Sequence, residues 1–344
     1  MSKGKEFRQL LASEPYVFTS GVYCALDAKI AEMVGLKTVY MSGYSTSLAY
    51  LARADLGFPT MTEMAMNAHY IASATSIPVI ADADDGYGNA LITMRTVEEF
   101  ERAGVAGIHI EDQRAPKRCG HMAGKYVLPL DEAVGKFKAA IRARHDPDFF
   151  IIARTDARGA VGGSLEEAIQ RGKAYADAGV DMVWCEMTSP NVIEECEAFA
   201  NEMQRAWPNL PLAFNYSSSF RWGTLERPLT FQALGEMGYK YIFITLGAPH
   251  ASMYAVWNFL VDLKRNEEQA QLHLEKLIEN HPTENHHRMG NFDYFQALEE
   301  EFLPADFVRG RYATSEGYGG ADTSKGKSVL GTAQQEGLER RGSG

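Results

Sequence analysis

The sequence predicts a (β/α)8 barrel of the TIM type with additional helices after it, and three observations point there. Eight short apolar runs recur through the first 245 residues, separated by stretches of helical character. Most of these runs are continuously apolar rather than alternating, as expected for strands buried on both faces of a parallel sheet covered by helices. Three times a helix-like stretch passes through a glycine turn straight into the next run: Ala103-Gly104-Val105, Ala178-Gly179-Val180 and Met237-Gly238-Tyr239. Glycine there supplies a left-handed helix cap at little steric cost.

The expected strands, in order, are 16–19, 37–41, 78–82, 107–111, 149–154, 181–186, 212–215 and 241–245. Thr96-Val97-Glu98-Glu99 and Ser164-Leu165-Glu166-Glu167 have the pattern of capped helix starts with acidic first turns. A doubly wound open sheet is the competing architecture, but no Gly-x-Gly-x-x-Gly follows the first strand. After residue 262 the pattern changes to charged amphipathic helices, expected over 267–279 and 294–302, and from Arg309 the chain is rich in Gly, Ser and Thr. The expected organisation is a catalytic barrel over 1–262, a helical segment over 263–308 and a flexible tail over 309–344. The tail could close over the site when substrate binds.

Composition narrows the function. In 344 residues, 34 Lys and Arg against 45 Asp and Glu leave a net charge of −11, which repels phosphate backbones and argues against nucleic acid as a partner. No apolar run approaches the roughly 20 residues that span a bilayer, and the N-terminus has no signal-peptide core. Four cysteines, Cys24, Cys119, Cys185 and Cys196, are too few for a disulfide scaffold and fit no paired metal spacing. A reduced, cytoplasmic protein with no membrane partner is expected.

Polar residues stand at the C-terminal end of nearly every strand: Ser42, Asp82 with Asp84, Glu111, Arg154 with Asp156, Glu186, Asn215 and Thr245. In a barrel these ends converge on one mouth, where active sites are built. Four converging carboxylates, Asp82, Asp84, Glu111 and Glu186, repel one another unless their pKa values rise or a cation sits among them. Oxygen ligands without a His/Cys cluster point to Mg2+ or Mn2+, in part through water. Arg154 and Asn215 offer donors for an anionic substrate, a small di- or tricarboxylate.

The loop Lys117-Arg118-Cys119-Gly120-His121 places a cysteine between two cations and near an imidazole. Such surroundings are expected to lower the thiol pKa and make it a usable acid, base or nucleophile. Cys24 and Cys196 lie in helix-like stretches and Cys185 in a strand, where packing is the expected role. His109 shares the face of Glu111 and could be interior or stand behind the ligands. His286-His287 reads as surface, and Trp184, Phe220 and Trp222 as core or wall.

The loop Lys117–His121 closely resembles the signature of the isocitrate lyase and phosphoenolpyruvate mutase superfamily. The blocks Tyr40-Met41-Ser42-Gly43-Tyr44, Asp82-Ala83-Asp84, His109-Ile110-Glu111-Asp112-Gln113, Ala153-Arg154-Thr155-Asp156-Ala157 and Trp184-Cys185-Glu186 fall in the same order. The resemblance covers about residues 15 to 260, with a weaker echo over 331–336. The cysteine separates lyases from phosphonopyruvate mutases and hydrolases. Asn215-Tyr216-Ser217-Ser218-Ser219 resembles the segment with which isocitrate-cleaving members hold a succinate carboxylate. The compact spacing from Glu111 to Cys119 is that of methylisocitrate-cleaving members, and Tyr44 stands where tryptophan is usual.

The resemblance implies Mg2+-dependent retro-Claisen cleavage of isocitrate to glyoxylate and succinate, a glyoxylate-cycle step, in a homotetramer. Methylisocitrate cleavage, oxaloacetate hydrolysis and a barrel that binds carboxylates without turnover are the alternatives. It further implies Cys119 as the acid–base thiol with Lys117, Arg118 and His121 around it, and Asp82, Asp84, Glu111 and Glu186 at the metal, with His109 behind them. Tyr40, Ser42, Gly43, Tyr44, Asp55 and Arg154 fall to the glyoxylate end, Asn215, Ser217, Ser219 and Thr245 to the succinate end, and Gly120 is a further substrate-binding residue.

Overall fold

Eight parallel strands close on themselves in sequence order: β1 (Val17–Val22), β2 (Val39–Met41), β3 (Val79–Asp82), β4 (Gly107–Glu111), β5 (Phe150–Thr155), β6 (Met182–Cys185), β7 (Leu212–Asn215) and β8 (Tyr239–Ile244). The computed structural model describes residues 1–189 and 191–308; the expected tail over 309–344 and the echo over 331–336 lie outside the described residues. Strand β1 pairs with β8, Val17 opposite Tyr241, which closes the barrel predicted from the continuous apolar runs.

Alternation along each strand feeds two apolar layers. Tyr40, Ile80, Ile152, Trp184, Tyr241 and Phe243 fill the barrel interior, while Val39, Val79, Ile108, Ile151, Val183 and Ile242 face the surrounding helices. Those helices are α1 (Lys3–Ser13), α2 (Ala25–Met33), α3 (Gly43–Leu51), α4 (Met61–Ser73), α5 (Ala90–Ala103), α6 (Leu130–Ala143), α7 (Leu165–Ala178), α8 (Val192–Ala206), α9 (Phe231–Glu236) and the start of α10 (Gly247–Asn266). Helix α1 closes the lower end. Its fully buried Phe7 meets Phe150 and Tyr241 edge-on at 5.1 and 5.2 Å, and Arg8 reaches Asp181 at 2.7 Å.

Gly104 and Gly179, at φ of 89° and 95°, cap α5 and α7 in the left-handed region as the repeated junctions predict, and Ser164 caps α7 by accepting from Glu167 N. The expected helix start at Thr96 is corrected. Helix α5 begins at Ala90, capped by Asn89, whose side chain accepts from Leu91 N and Ile92 N. Thr96 lies mid-helix, and its hydroxyl donates to Ile92 O and Gly86 O, tying down the loop after β3. Cys24 is likewise not helical: it is the residue preceding α2.

The barrel unit comprises Met1–Ser252, and a second unit begins at Met253. The expected boundary at 262 falls inside the continuous helix α10. The second unit contains the remainder of α10, then α11 (Gln269–Ile278), α12 (His286–Met289) and α13 (Phe292–Phe302), close to the expected charged helices. Among the described residues no helix is long and apolar enough to cross a membrane.

Truncating the plug residue, Phe7→Ala, is expected to cost about 3–5 kcal/mol of stability, because it removes a fully buried ring and leaves a cavity. Urea unfolding followed by circular dichroism measures this, and an unchanged midpoint would show that α1 does not close the barrel.

Candidate active site

Strand ends and the loops after them bring most of the sequence-predicted residues to one mouth. A cavity of about 520 Å³, counting its open side, is lined there by Tyr40, Tyr44, Asp55, Asp82, Cys119 and Arg154, with Gly120, His121, Glu186, Asn215, Ser217, Ser219 and Thr245 completing the wall. Its floor is aromatic: Tyr40 stacks on Phe243 at 4.2 Å, and Trp184 meets Phe243 and His109 edge-on at 5.0 and 4.9 Å. Trp184, read as core or wall, proves to be wall and floor both, with the Arg154 guanidinium 4.4 Å above its ring.

Arg154 is surrounded. Its Nε and Nη2 donate to the two oxygens of Asp156 at 2.9 and 3.1 Å, while Nη1 lies 3.4 Å from Glu111 and Nη2 3.2 Å from Glu186. Lys117 forms a second centre, bonded to Asp55 and Asp84 at 2.5 Å each. Asp82 accepts from Gly43 N at 3.0 Å at the start of α3, from Asp84 N at 2.9 Å, and lies 3.1 Å from His109 Nε2. The positive end of α3 therefore faces this carboxylate. Gly43 is required sterically, since a Cβ would sit 2.6 Å from Asp82 Oδ2.

The carboxylates divide by what stands next to them. Burial works against the charge of Asp82, but His109, Lys117 and Arg154 outweigh it and hold its carboxyl well below the usual range. Burial opposes ionisation of Glu186 too, and His121 and Arg154 lower it. Burial prevails at Asp84, raised to about 7 despite Lys117, with Asp82 and Asp55 adding to the rise. Glu111 is raised by burial against the pull of Arg154 and Lys117.

The cysteine loop is docked onto this cluster. Cys119 N donates to Asp55 O at 2.9 Å, and His121 Nε2 lies 2.8 Å from Glu186 Oε1. A Cβ on Gly120 would fall 2.6 Å from Glu186 Cγ, so only glycine lets the loop come this close. The expectation of a lowered thiol pKa is corrected: burial, followed by the charge of Asp55, pushes the Cys119 thiol up to about 12. Proximity in sequence misled here. Lys117 is committed to Asp55 and Asp84, and the exposed Arg118 engages the site only through its backbone, bonded to Gln113 at 2.9 and 2.7 Å.

On the opposite wall Asn215 is oriented from both ends. Its Oδ1 accepts from Thr245 Oγ1 at 2.7 Å and its Nδ2 donates to Glu186 at 3.4 Å, while Ser217 Oγ accepts from Ser219 N. Ser42 is spent on capping α3, accepting from Ser45 N at 3.1 Å, and does not line the cavity. Sequence reasoning missed Ser218 and Leu246, which complete the lining, and a buried layer behind it. There Asp112 accepts from Asp156 N, Tyr175 Oη and Arg171, and Lys125 pairs with Asp156 at 3.3 Å. Asp112 and Asp156 fall in motifs singled out above; a lone loop lysine carries no sequence signal.

Asp55, Asp82, Asp84, Glu111, Asp156 and Glu186 are all buried against three buried cations, Lys117, Lys125 and Arg154. Glu111 Oε1 is buried without a hydrogen-bond partner. That excess and that orphaned oxygen fit a hard divalent cation. Among the described residues no three His, Cys, Asp or Glu side chains come together as a direct cage.

The phosphoenolpyruvate phosphomutase family model matches residues 7–262, and the chain belongs to this family, the phosphoenolpyruvate mutase and isocitrate lyase superfamily. It is 48% identical to an isocitrate lyase of Haloferax volcanii over 92% of this chain and 91% of that protein. Among solved structures it resembles the phosphoenolpyruvate phosphomutase of Streptomyces platensis subsp. rosaceus, with a TM-score of 0.76 and 32% identity over 88% of this chain and 99% of that one. A phosphonopyruvate hydrolase solved with oxalate and Mg2+ matches with a TM-score of 0.73 and 27% identity over 88% and 100% of the two chains.

Because its folded pKa is raised to about 12, Cys119 remains a neutral thiol through neutral and mildly alkaline pH. Its iodoacetamide alkylation without metal, followed by peptide mass mapping, is expected to keep rising beyond pH 10. A plateau near the ordinary thiol value of about 8.5 would contradict this environment.

Proposed function

We propose that this protein is a carbon–carbon lyase that cleaves isocitrate to glyoxylate and succinate. The observation that carries the reading is a thiol held beside a buried arginine and opposite a wall of amide and hydroxyl donors, on a chain 48% identical to an isocitrate lyase. An electrophilic carboxylate end, a carbanion end and an acid between them are what a retro-Claisen cleavage needs.

Arg154, oriented by Asp156, binds the carboxylate at the glyoxylate end. Tyr40, Tyr44, Gly43 and Asp55 shape that end, and Ser42 acts through the α3 cap. Asp82, Asp84, Glu111 and Glu186, with His109 behind Asp82, would hold Mg2+, or Mn2+ as substitute, which would supply Lewis-acid stabilisation of the oxygen that gains charge.

Asn215, Ser217 and Ser219 donate to the succinate carboxylates as charge builds on the carbon being released, with Thr245, whose hydroxyl donates to Asn215 Oδ1, fixing the amide in its orientation. The Cys119 thiol then delivers its proton to that carbon. With its pKa raised to about 12, the thiol arrives protonated. Lys117 and His121 hold the loop in place, through Asp55 with Asp84 and through Glu186 respectively. The docked loop excludes water from the carbanion.

The proposal extends to a cytoplasmic homotetramer working in the glyoxylate bypass. Subunit association is supported by large exposed apolar side chains on α10, with Tyr254 74% and Trp257 71% exposed.

The test compares release of glyoxylate from isocitrate with release of pyruvate from 2-methylisocitrate, each with Mg2+ and with chelator. Faster, metal-dependent cleavage of isocitrate is expected. Preference for the methylated substrate would overturn the assignment of the Asn215–Ser219 wall. Cys119→Ser is expected to lower kcat by ~10²–10⁴-fold with KM changed less than a few-fold, and near-parental turnover would remove the thiol from the mechanism.

A further inference from the structure

We infer that Lys125 is a positioning residue that latches the cysteine loop to the carboxylate orienting Arg154. Its effect on turnover rests on the proposed lyase reading; the latch itself does not. The Lys125 side chain is 1% exposed, and its ammonium reaches two groups. Nζ donates to the backbone carbonyl of Gly120, the residue after Cys119, and lies 3.3 Å from Asp156 Oδ1. That same oxygen accepts from Arg154 Nη2 at 3.1 Å. One cation therefore ties the thiol-bearing loop to the network that aims the substrate-binding arginine.

The two ends of this tie are held differently. Around Lys125 the backbone is fastened: its carbonyl accepts from Val161 N at 2.8 Å, and Tyr126 O accepts from Arg114 N at 2.8 Å. Gly120, buried as well, lies midway along the loop between Gln113 and Val127, which pair as an isolated antiparallel bridge. Space has been kept for the ammonium, since a Cβ on Gly159 would fall 3.1 Å from Lys125 Nζ and 2.7 Å from Thr188 Oγ1. Lifting the loop would remove the carbonyl from a buried ammonium, which leaves one of its N–H donors unsatisfied while the pair with Asp156 persists. The docked state is favoured for that reason. Because Asp156 is shared, loop docking and the orientation of Arg154 belong to one network and favour each other.

The test uses Lys125→Met, which keeps length and loses charge, and Lys125→Arg, which restores charge. N-ethylmaleimide modification of Cys119 in Mg2+ and succinate, read by peptide mass mapping, is expected to be about tenfold faster in Lys125→Met than in the parent. Amide hydrogen exchange over 117–122 should quicken in parallel. Turnover of isocitrate should lose about tenfold in kcat with KM within threefold, and Lys125→Arg should recover most of each loss. A folded Lys125→Met with parental modification and exchange rates would overturn the latch. Should Lys125→Met fail to fold, Gly159→Ala, which crowds the ammonium, is the second variant: faster modification supports the latch and a parental rate overturns it. Modification and exchange are read without turnover, so a parent inert toward isocitrate would overturn the functional reading alone.

Discussion

Arg154 lies where the ends of β4, β5 and β6 meet, and the charges around it set what the mouth can hold. Its guanidinium engages Asp156 through Nε and Nη2, approaches Glu111 with Nη1 and Glu186 with Nη2, and lies over the Trp184 ring. A guanidinium stays charged when buried, so it can anchor several carboxylates in a space closed to water. Lys117 does the same for Asp55 and Asp84. Even with Lys125 beside Asp156, these cations do not balance the six buried carboxylates, and carboxyl pKa values are raised at Asp84 and Glu111. A mouth in this state is prepared for a divalent cation and an anionic ligand together.

The same economy of charge explains the cysteine loop. It carries Lys117 into the cluster, and that lysine draws the loop down onto the barrel. Gly120 permits the close approach to Glu186, and His121 completes it. The thiol thus reaches the cavity half-buried beside Asp55, a setting that keeps it protonated. An acid so placed can act on a carbanion without water competing for it.

The fold was legible because parallel strands buried on both faces leave continuous apolar runs, and a closed barrel tells the reader where strand ends go. That is how Asp82, Glu111, Arg154, Glu186 and Asn215 could be gathered from distant positions. Thr96 misled because Thr-x-x-Glu inside an amphipathic helix looks like a cap, whereas Asn89 seven residues earlier is the cap. The thiol's acidity misled for a deeper reason. Sequence shows which charges are adjacent along the chain and says nothing of burial, so Arg118, facing solvent, counted the same as Lys117. Lys125 was invisible: a lysine that will be buried against Asp156 looks like any loop lysine until the fold brings them together.

The central claim is that the carboxylate excess at the mouth is a divalent-cation site. Calorimetric titration of Mg2+ into the full-length protein at pH 7, in two buffers of different ionisation enthalpy, tests it most directly. Asp84, raised to about 7, is partly protonated at that pH, and burial raises Glu111 in the same direction, so a cation bound among them would displace protons. The account predicts one site per chain with net proton release, so the apparent heat changes with the buffer. Absence of binding, or binding with the same heat in both buffers, would contradict it.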